Sequence, residues 1–381
     1  MTKETETIII GGGMSGIGCA RTLAKEGKDF LLISKDIGGR VVTSADGQVN
    51  YGAFYIRSDY HNVLPFVKLG RRIASRSLGW EKIKGRLTFW NKIFNYPVSM
   101  IKIAAHLLIF NFHYQRFKKN CEKFSQVEVL EKDPYLKKMH EMPANDFIKN
   151  HQLEILLPLF DPIVNSTTFL SIREAPLSAA GMLLMLMIGL YPTNEFIMDK
   201  DLLVEGISGQ VISDEVVSLL REDDRWLIKT NSGQEYLSKN LVMATPIDIT
   251  KRLLNLDFPT NQPISVYMTH LRGELVAEYE VPGNFILFSP DKTEDIVIAK
   301  EPNGTLLFYS HDSAYSLEKY FKNYEIIAEK FWSPAFFVGH SFIPCLFPDS
   351  LFIIGDHNIV GMEDAYITGI YAGNKISGKT V

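Results

Sequence analysis

Gly11, Gly13 and Gly16 fill the pattern G-x-G-x-x-G in Gly11-Gly12-Gly13-Met14-Ser15-Gly16, directly after the apolar run Ile8-Ile9-Ile10 and before a helical run from Ile17 to Lys25. Each glycine has its own physical task. The first permits a tight turn, the second lets a pyrophosphate approach bare backbone, and the third lets helix and strand pack closely. Phosphate then sits at the helix N-terminus, near Met14 and Ser15, where unpaired N–H groups and the helix dipole favour an anion. A second strand, Phe30 to Ile33, follows in register, the setting this motif requires. These residues predict a dinucleotide site.

At the end of that second strand, where such folds present a carboxylate to the ribose hydroxyls, stands Ser34-Lys35. A hydroxyl reaches one ribose oxygen and a lysine can meet a 2′-phosphate, so NADP stays open at this point. Gly38-Gly39-Arg40 comes next, then Tyr51-Gly52-Ala53-Phe54-Tyr55. A second stretch of bare backbone with a fixed guanidinium suits a long diphosphate ligand.

Other chemistries find little support. Cys19, Cys121 and Cys345 are unevenly spaced and give neither a disulfide framework nor a zinc pattern, so no metal site is expected. No G-x-S-x-G turn, H-E-x-x-H or Walker turn occurs, which leaves hydrolase and kinase readings unsupported. His270 is a candidate general base and equally a structural histidine in a strand-like run. Arg272, two residues on, is a candidate for a substrate carboxylate or a plain surface residue.

The elements that must position these residues fall into zones. Residues 6–55 read as strand, turn, helix, strand and second turn. The next zone shows helical periodicity, with Leu64, Val67 and Lys68 opening one amphipathic stretch and Met100, Ile103, Ala104 and Leu107 another. Short β-rich runs return later, as Trp226 to Thr230 and Asn240 to Ala244, and the chain closes on Leu351-Phe-Ile-Ile-Gly355-Asp356 and a helix. The pattern predicts an α/β domain in three pieces (1–55, 203–255, 339–381), interrupted by a mostly helical substrate domain (56–202) with a β-rich part (256–338). Ala175 to Asn194 carries no charge and is long enough to raise a membrane span. Its flanks lack a Lys/Arg bias, and a span would part the two halves of the domain. It reads instead as a buried helix with Pro176 in its first turn, lining the core or an apolar cavity.

The two glycine turns together resemble the flavin amine oxidoreductase superfamily, which includes amine oxidases, protoporphyrinogen oxidases and phytoene desaturases or carotenoid isomerases. The likeness continues in Asp214-Glu215-Val216, Val242-Met243-Ala244-Thr245-Pro246, and Gly355-Asp356 followed by Gly361-Met362-Glu363-Asp364-Ala365 and Gly369. It implies a Rossmann-like FAD-binding domain of the glutathione-reductase type. Gly11, Gly13, Gly16, Gly38, Gly39 and Arg40 would hold the diphosphate and Val216 the adenine. Asp356 would lie by the ribityl or diphosphate region, with Met362 and Ala365 along the flavin. Gly52, Ala53, Phe54 and Tyr55 would shape the pocket near the ring, and Ala244 would pass beside the cofactor. The implied activity is hydride transfer from a largely apolar small molecule to flavin N5. Amine oxidases of the family also use a lysine, for which Lys300 is a weak candidate here, as Tyr55 is for a catalytic side chain. Gly361 stands where amine oxidases place an aromatic, which disfavours that branch. A non-catalytic FAD-binding scaffold is the third alternative.

The chain of 381 residues has a formal charge of −4, with 46% apolar and 22% charged residues, which excludes a disordered chain. Residues 66–123 hold thirteen Lys or Arg against Glu81 and Glu122, a balance of +11 that leaves −15 on the rest. Such segregation suits an anionic partner or a membrane surface, while the acidic remainder argues against nucleic acid. Aromatic and basic residues alternate at helical spacing from Phe89-Trp90 through Phe110, Phe112, Arg116 and Lys119, a composition able to rest in a lipid headgroup layer. The polar N-terminus carries no leader pattern, so a cytoplasmic, optionally membrane-associated protein is expected. Oligomeric state is left open.

Overall fold

The computed structural model describes residues 2–80, 94–281 and 283–379. β1 (Lys3–Gly12), α1 (Met14–Lys25) and β2 (Phe30–Ile37) form the opening βαβ-type unit. Ile8, Ile9 and Ile10 are all buried, as expected of a central parallel strand covered on both faces. β3 (Tyr55–Arg57), β4 (Val67–Ile73) and β5 (Leu78–Trp80) follow. Val67–Ile73 is thus a strand, where helical periodicity was expected from Leu64, Val67 and Lys68. The cause is long-range: its edge pairs antiparallel along β6 (Thr193–Met198), and the register shifts between Leu69 and Arg72, around Gly70.

Helices dominate what comes between. α2 (Pro97–Cys121) is the longest, followed by α3 (Gln126–Glu131), α4 (Pro134–Glu141), α5 (Ala144–Asn150), α6 (Leu157–Thr168) and α7 (Ala179–Leu186). The uncharged segment at 175–194 is therefore a short helix, a 3-10 turn and the start of a strand. Pro176 lies ahead of the helix, which Ser178 caps by accepting from the Gly181 amide at 3.0 Å. α7 is buried on nearly all sides, and no helix among the described residues is long and apolar enough to cross a membrane. Of the aromatic and basic run, Phe89 and Trp90 lie outside the described residues.

After α8 (Lys200–Val204), β7 (Val211–Ser213), β8 (Val216–Glu222), β9 (Arg225–Thr230) and β10 (Glu235–Met243) complete the first sheet with the late β16 (Leu346–Phe347) and β17 (Leu351–Ile353). Its backbone order is β16-β17-β10-β1-β2-β7, with β9 and β8 added antiparallel off β10. α9 (Ile247–Leu254) leads to a six-stranded sheet of order β15-β11-β14-β13-β12-β5, built from β11 (Gln262–Leu275), β12 (Phe285–Leu287), β13 (Asp295–Lys300), β14 (Leu306–Ser310) and β15 (Phe321–Val338). β5 thus carries part of the 56–202 segment into the sheet of the 256–338 segment. α10 (Met362–Ile376) closes the chain against α1. Their axes approach so closely that a Cβ on Gly369 would stand 2.1 Å from the Ser15 carbonyl oxygen. The first and last helices are locked backbone to backbone, and both N-termini open on one cavity.

Candidate active site

That cavity measures about 460 Å³ and is lined from both ends of the chain. One end is made of backbone. Gly11, Gly13, Met14 and Ser15 meet Gly38, Gly39 and Arg40 there, with Val216 and Ala244 beside them and Gly355, Asp356, Met362 and Ala365 opposite. Gly11 adopts φ +111°, and an added Cβ would stand 2.6 Å from the Ala244 carbonyl oxygen, so only glycine fits. A Cβ on Gly13 would have just one protein neighbour, the Gly39 Cα at 3.9 Å. The space in front of Gly13 therefore belongs to the cavity. No side chain caps α1, so its first-turn amides lack a side-chain acceptor. Bare glycine faces and an uncapped helix N-terminus fit the diphosphate of a dinucleotide. Gly16 is the exception among the motif glycines: it is buried outside the lining, and a Cβ there would collide with the Gly11 carbonyl oxygen at 1.9 Å. Its missing Cβ lets turn and helix pack closely.

The polar residues at this end are arranged differently from the sequence expectation. The Ser34 hydroxyl accepts from the Gly12 amide at 2.9 Å and donates its one proton to the Asp36 carbonyl at 2.7 Å. It braces the glycine turn and cannot also donate to a ribose. Lys35 pairs with Glu215 at 2.7 Å. Asp36, Asp214 and Glu215 also line the cavity, and hydrogen bonds from Ser232 and Thr230 hold the Asp214 carboxyl below its ordinary range. A 2′-phosphate would meet three carboxylates here. Asp36, two residues beyond Ser34, reaches the cavity because β2 runs on to Ile37. Arg40 is not a free cation: it donates to the Ala335 carbonyl at 2.7 Å and is ion-paired with Asp356, joining the opening and closing motifs directly.

The other end is aromatic. Tyr51, Gly52, Ala53, Phe54 and Tyr55 enter it from the second turn, facing Phe169, Met185, Tyr309, Trp332 and Phe336. Phe169 ends α6 in the left-handed region at φ +56° and stacks on Tyr309 and Phe336 with centroids 6.0 and 5.4 Å apart. Tyr55 donates to Met185 Sδ at 3.5 Å and Tyr309 to the Tyr51 carbonyl at 3.1 Å. Burial pushes both phenols up, so they remain protonated near neutral pH. Burial pushes the wall's imidazole, His357, down to about 4, so it stays neutral there.

Three sequence candidates fall outside the lining. Lys300, at the end of β13, donates to the Val281 carbonyl at 3.0 Å. Among the described residues Lys35 is the lone lysine lining the cavity, and it stands at the opposite end. Lys330 is not among the lining residues; its ammonium stands 4.0 Å from the ring centroid of Trp332, which is. His270 contacts Tyr51 Oη at 3.0 Å and Thr305 Oγ1 at 2.8 Å, fixing Tyr51 rather than facing the cavity. Arg272 is exposed and pairs with Glu325.

A buried polar network supports the N-terminus of α10. Glu363 accepts from the Asn62 and Val63 amides, and Asp364 accepts from Tyr114 at 2.6 Å. Behind them Arg57 and Lys118 both pair with Asp59. Burial raises the Glu363 carboxyl to about 7 and that of Asp364 to about 6. Lys118 therefore reads in sequence as part of a basic surface but is spent in the interior.

The family model for an NAD(P)-binding Rossmann-like domain matches residues 9–68. No curated protein sequence matches the chain. Among solved structures, a putrescine oxidase redesigned in its cofactor binding is similar over 100% of both chains, with a TM-score of 0.66 and 12% identity. A CLA-producing fatty acid isomerase from P. acnes is similar over 100% of both chains, at 0.69 and 14%. An oxidoreductase from Methanosarcina mazei is similar over 96% of this chain and 99% of its own, at 0.67 and 15%.

Proposed function

We propose that this chain, which has the fold of the flavin amine oxidoreductase superfamily, is an FAD-dependent oxidoreductase acting on a largely apolar small molecule. One observation carries the reading: a single cavity joins a backbone cradle, closed by Arg40 and Asp356, to an aromatic chamber. Gly13, Gly39 and the α1 amides are suited to a diphosphate, and Asp36 or Glu215 to the adenosine ribose hydroxyls. Met362 and Ala365, at the positive end of α10, are suited to the reducible end of a flavin ring. When bound, the flavin supplies the hydride acceptor at N5, with oxygen or another acceptor taking the electrons afterwards. Phe54, Phe169, Trp332 and Phe336 exclude water and hold an apolar substrate, while Tyr55 and Tyr309 stay protonated and do not act as bases.

Amine oxidation is the second reading, favoured by the likeness to putrescine oxidase. Lys300 does not serve it, since that side chain lies outside the cavity. Anaerobic mixing of the flavin-loaded protein with long-chain unsaturated lipids or with amines separates the cases. Bleaching of the visible flavin band by the apolar class alone supports the proposal. Bleaching by amines, with peroxide released once air is admitted, moves it to the amine oxidases, and a flavin that dithionite cannot reduce makes it a structural cofactor.

A further inference from the structure

α2 is apolar on two opposite faces. Ile103, Leu107, Phe110, Tyr114, Phe117 and Cys121 form a buried stripe that packs into the main core. At about 100° per residue, Val98, Ile101, Leu108, Ile109 and Phe112 fall within an arc of about 120° on the far side. These five are 66%, 70%, 59%, 48% and 59% exposed. Single exposed apolar residues are ordinary on a soluble surface, whereas five large ones along one arc form a patch of the kind that marks an interaction site.

The same arc continues into Arg116 and Lys119, with Lys102 at its edge, and the 25-residue helix contains no Asp or Glu. The Arg116 guanidinium lies 5.5 Å from the Phe112 ring centroid, so the cationic and aromatic parts share one face. From Val98 to Phe112 the apolar part extends about 21 Å along the axis. A second copy of this chain could cover the apolar part, but the same helix on that copy would bring no counter-charge for Arg116 and Lys119. An anionic lipid surface satisfies both parts of the face at once.

We propose that the outer face of α2 docks the protein on anionic membrane surfaces, lying in the plane of the headgroups rather than crossing them. Val98, Ile101, Leu108 and Phe112 enter the acyl boundary, and Lys102, Arg116 and Lys119 meet lipid phosphates. The exposed Lys102, Arg116 and Lys119 add long-range attraction that salt screens.

Flotation of the purified full chain with phosphatidylcholine vesicles, with and without phosphatidylglycerol, tests this. The wild type is expected to float with the anionic vesicles and less so at high salt. The triple variant Ile101→Gln/Leu108→Gln/Phe112→Gln is expected to lose about tenfold or more in partitioning, with an unchanged thermal midpoint because these side chains are exposed. Arg116→Gln/Lys119→Gln is expected to weaken binding and its salt dependence together. Equal partitioning of wild type and triple variant overturns the proposal. So does a wild type that ignores anionic vesicles but forms a concentration-dependent dimer that the triple variant abolishes, which assigns the face to a second copy.

Discussion

The two ends of the cavity are built by different means. The nucleotide end is mainly backbone, with two glycine turns and two helix N-termini, and its main ion pair, Arg40 with Asp356, ties the motifs to each other. The chamber end is side chain, assembled from β3, α6, α7, β14 and β15, which lie far apart in sequence. A backbone site is fixed by steric requirements within a few residues. A side-chain site is fixed by the packing of whole elements and tolerates exchange, which is how one scaffold carries different substrates.

Substitutions can break this contrast, and the largest effect belongs to the backbone end. Gly11→Val forces a side chain onto φ +111° and into the Ala244 carbonyl. It should cost about 3 kcal/mol or more, read as a lowered urea midpoint or loss of soluble protein.

Glu363 tests the support beneath α10. Burial, the main cause, favours its neutral form, so the folded state holds that proton more tightly than the unfolded chain, up to about 7. Its contribution is complete below the ordinary carboxylate range and is lost as pH rises through about 7. Glu363→Gln stays neutral and should gain on the wild type by up to about 3 kcal/mol between about pH 5 and pH 8. Parallel stability curves would show that Glu363 is already ionised throughout.

Gly13→Val sharpens the comparison, because its new side chain enters open cavity rather than protein. Cofactor retention should fall about tenfold or more, while the thermal midpoint of the cofactor-free protein stays within about 2 °C of wild type. Normal occupancy would mean that the diphosphate lies elsewhere. The smallest effect is expected in the chamber. Tyr55→Phe removes only a contact to a thioether, so stability should move by about 0.5 kcal/mol or less. Flavin reduction should slow by less than about tenfold; a hundredfold loss would make Tyr55 a catalytic residue.

Legibility in the sequence follows the same division. The opening glycines and the closing Gly355-Asp356 could be read because their sterics are local. Ser34 was read as a ribose contact because spacing does not show that its proton is committed to Asp36. Lys35 and Arg40 stood out as cations, but their partners Glu215 and Asp356 lie far along the chain. Val67–Ile73 carried a helical pattern and became a strand because β6 offered it an edge. Phe169, Tyr309 and Trp332 had no signal of their own, since only the tertiary fold gathers them, whereas Met185 belongs to the uncharged segment expected to line the core or an apolar cavity. His357 had one, its place directly after Gly355-Asp356, where a residue beside the motif was a fair candidate for the cavity wall.

The visible spectrum of the purified protein, before and after acid precipitation, tests the central claim most directly. Flavin bands that pass into the supernatant as FAD are the predicted result. A colourless protein that cannot be reconstituted with FAD would contradict it.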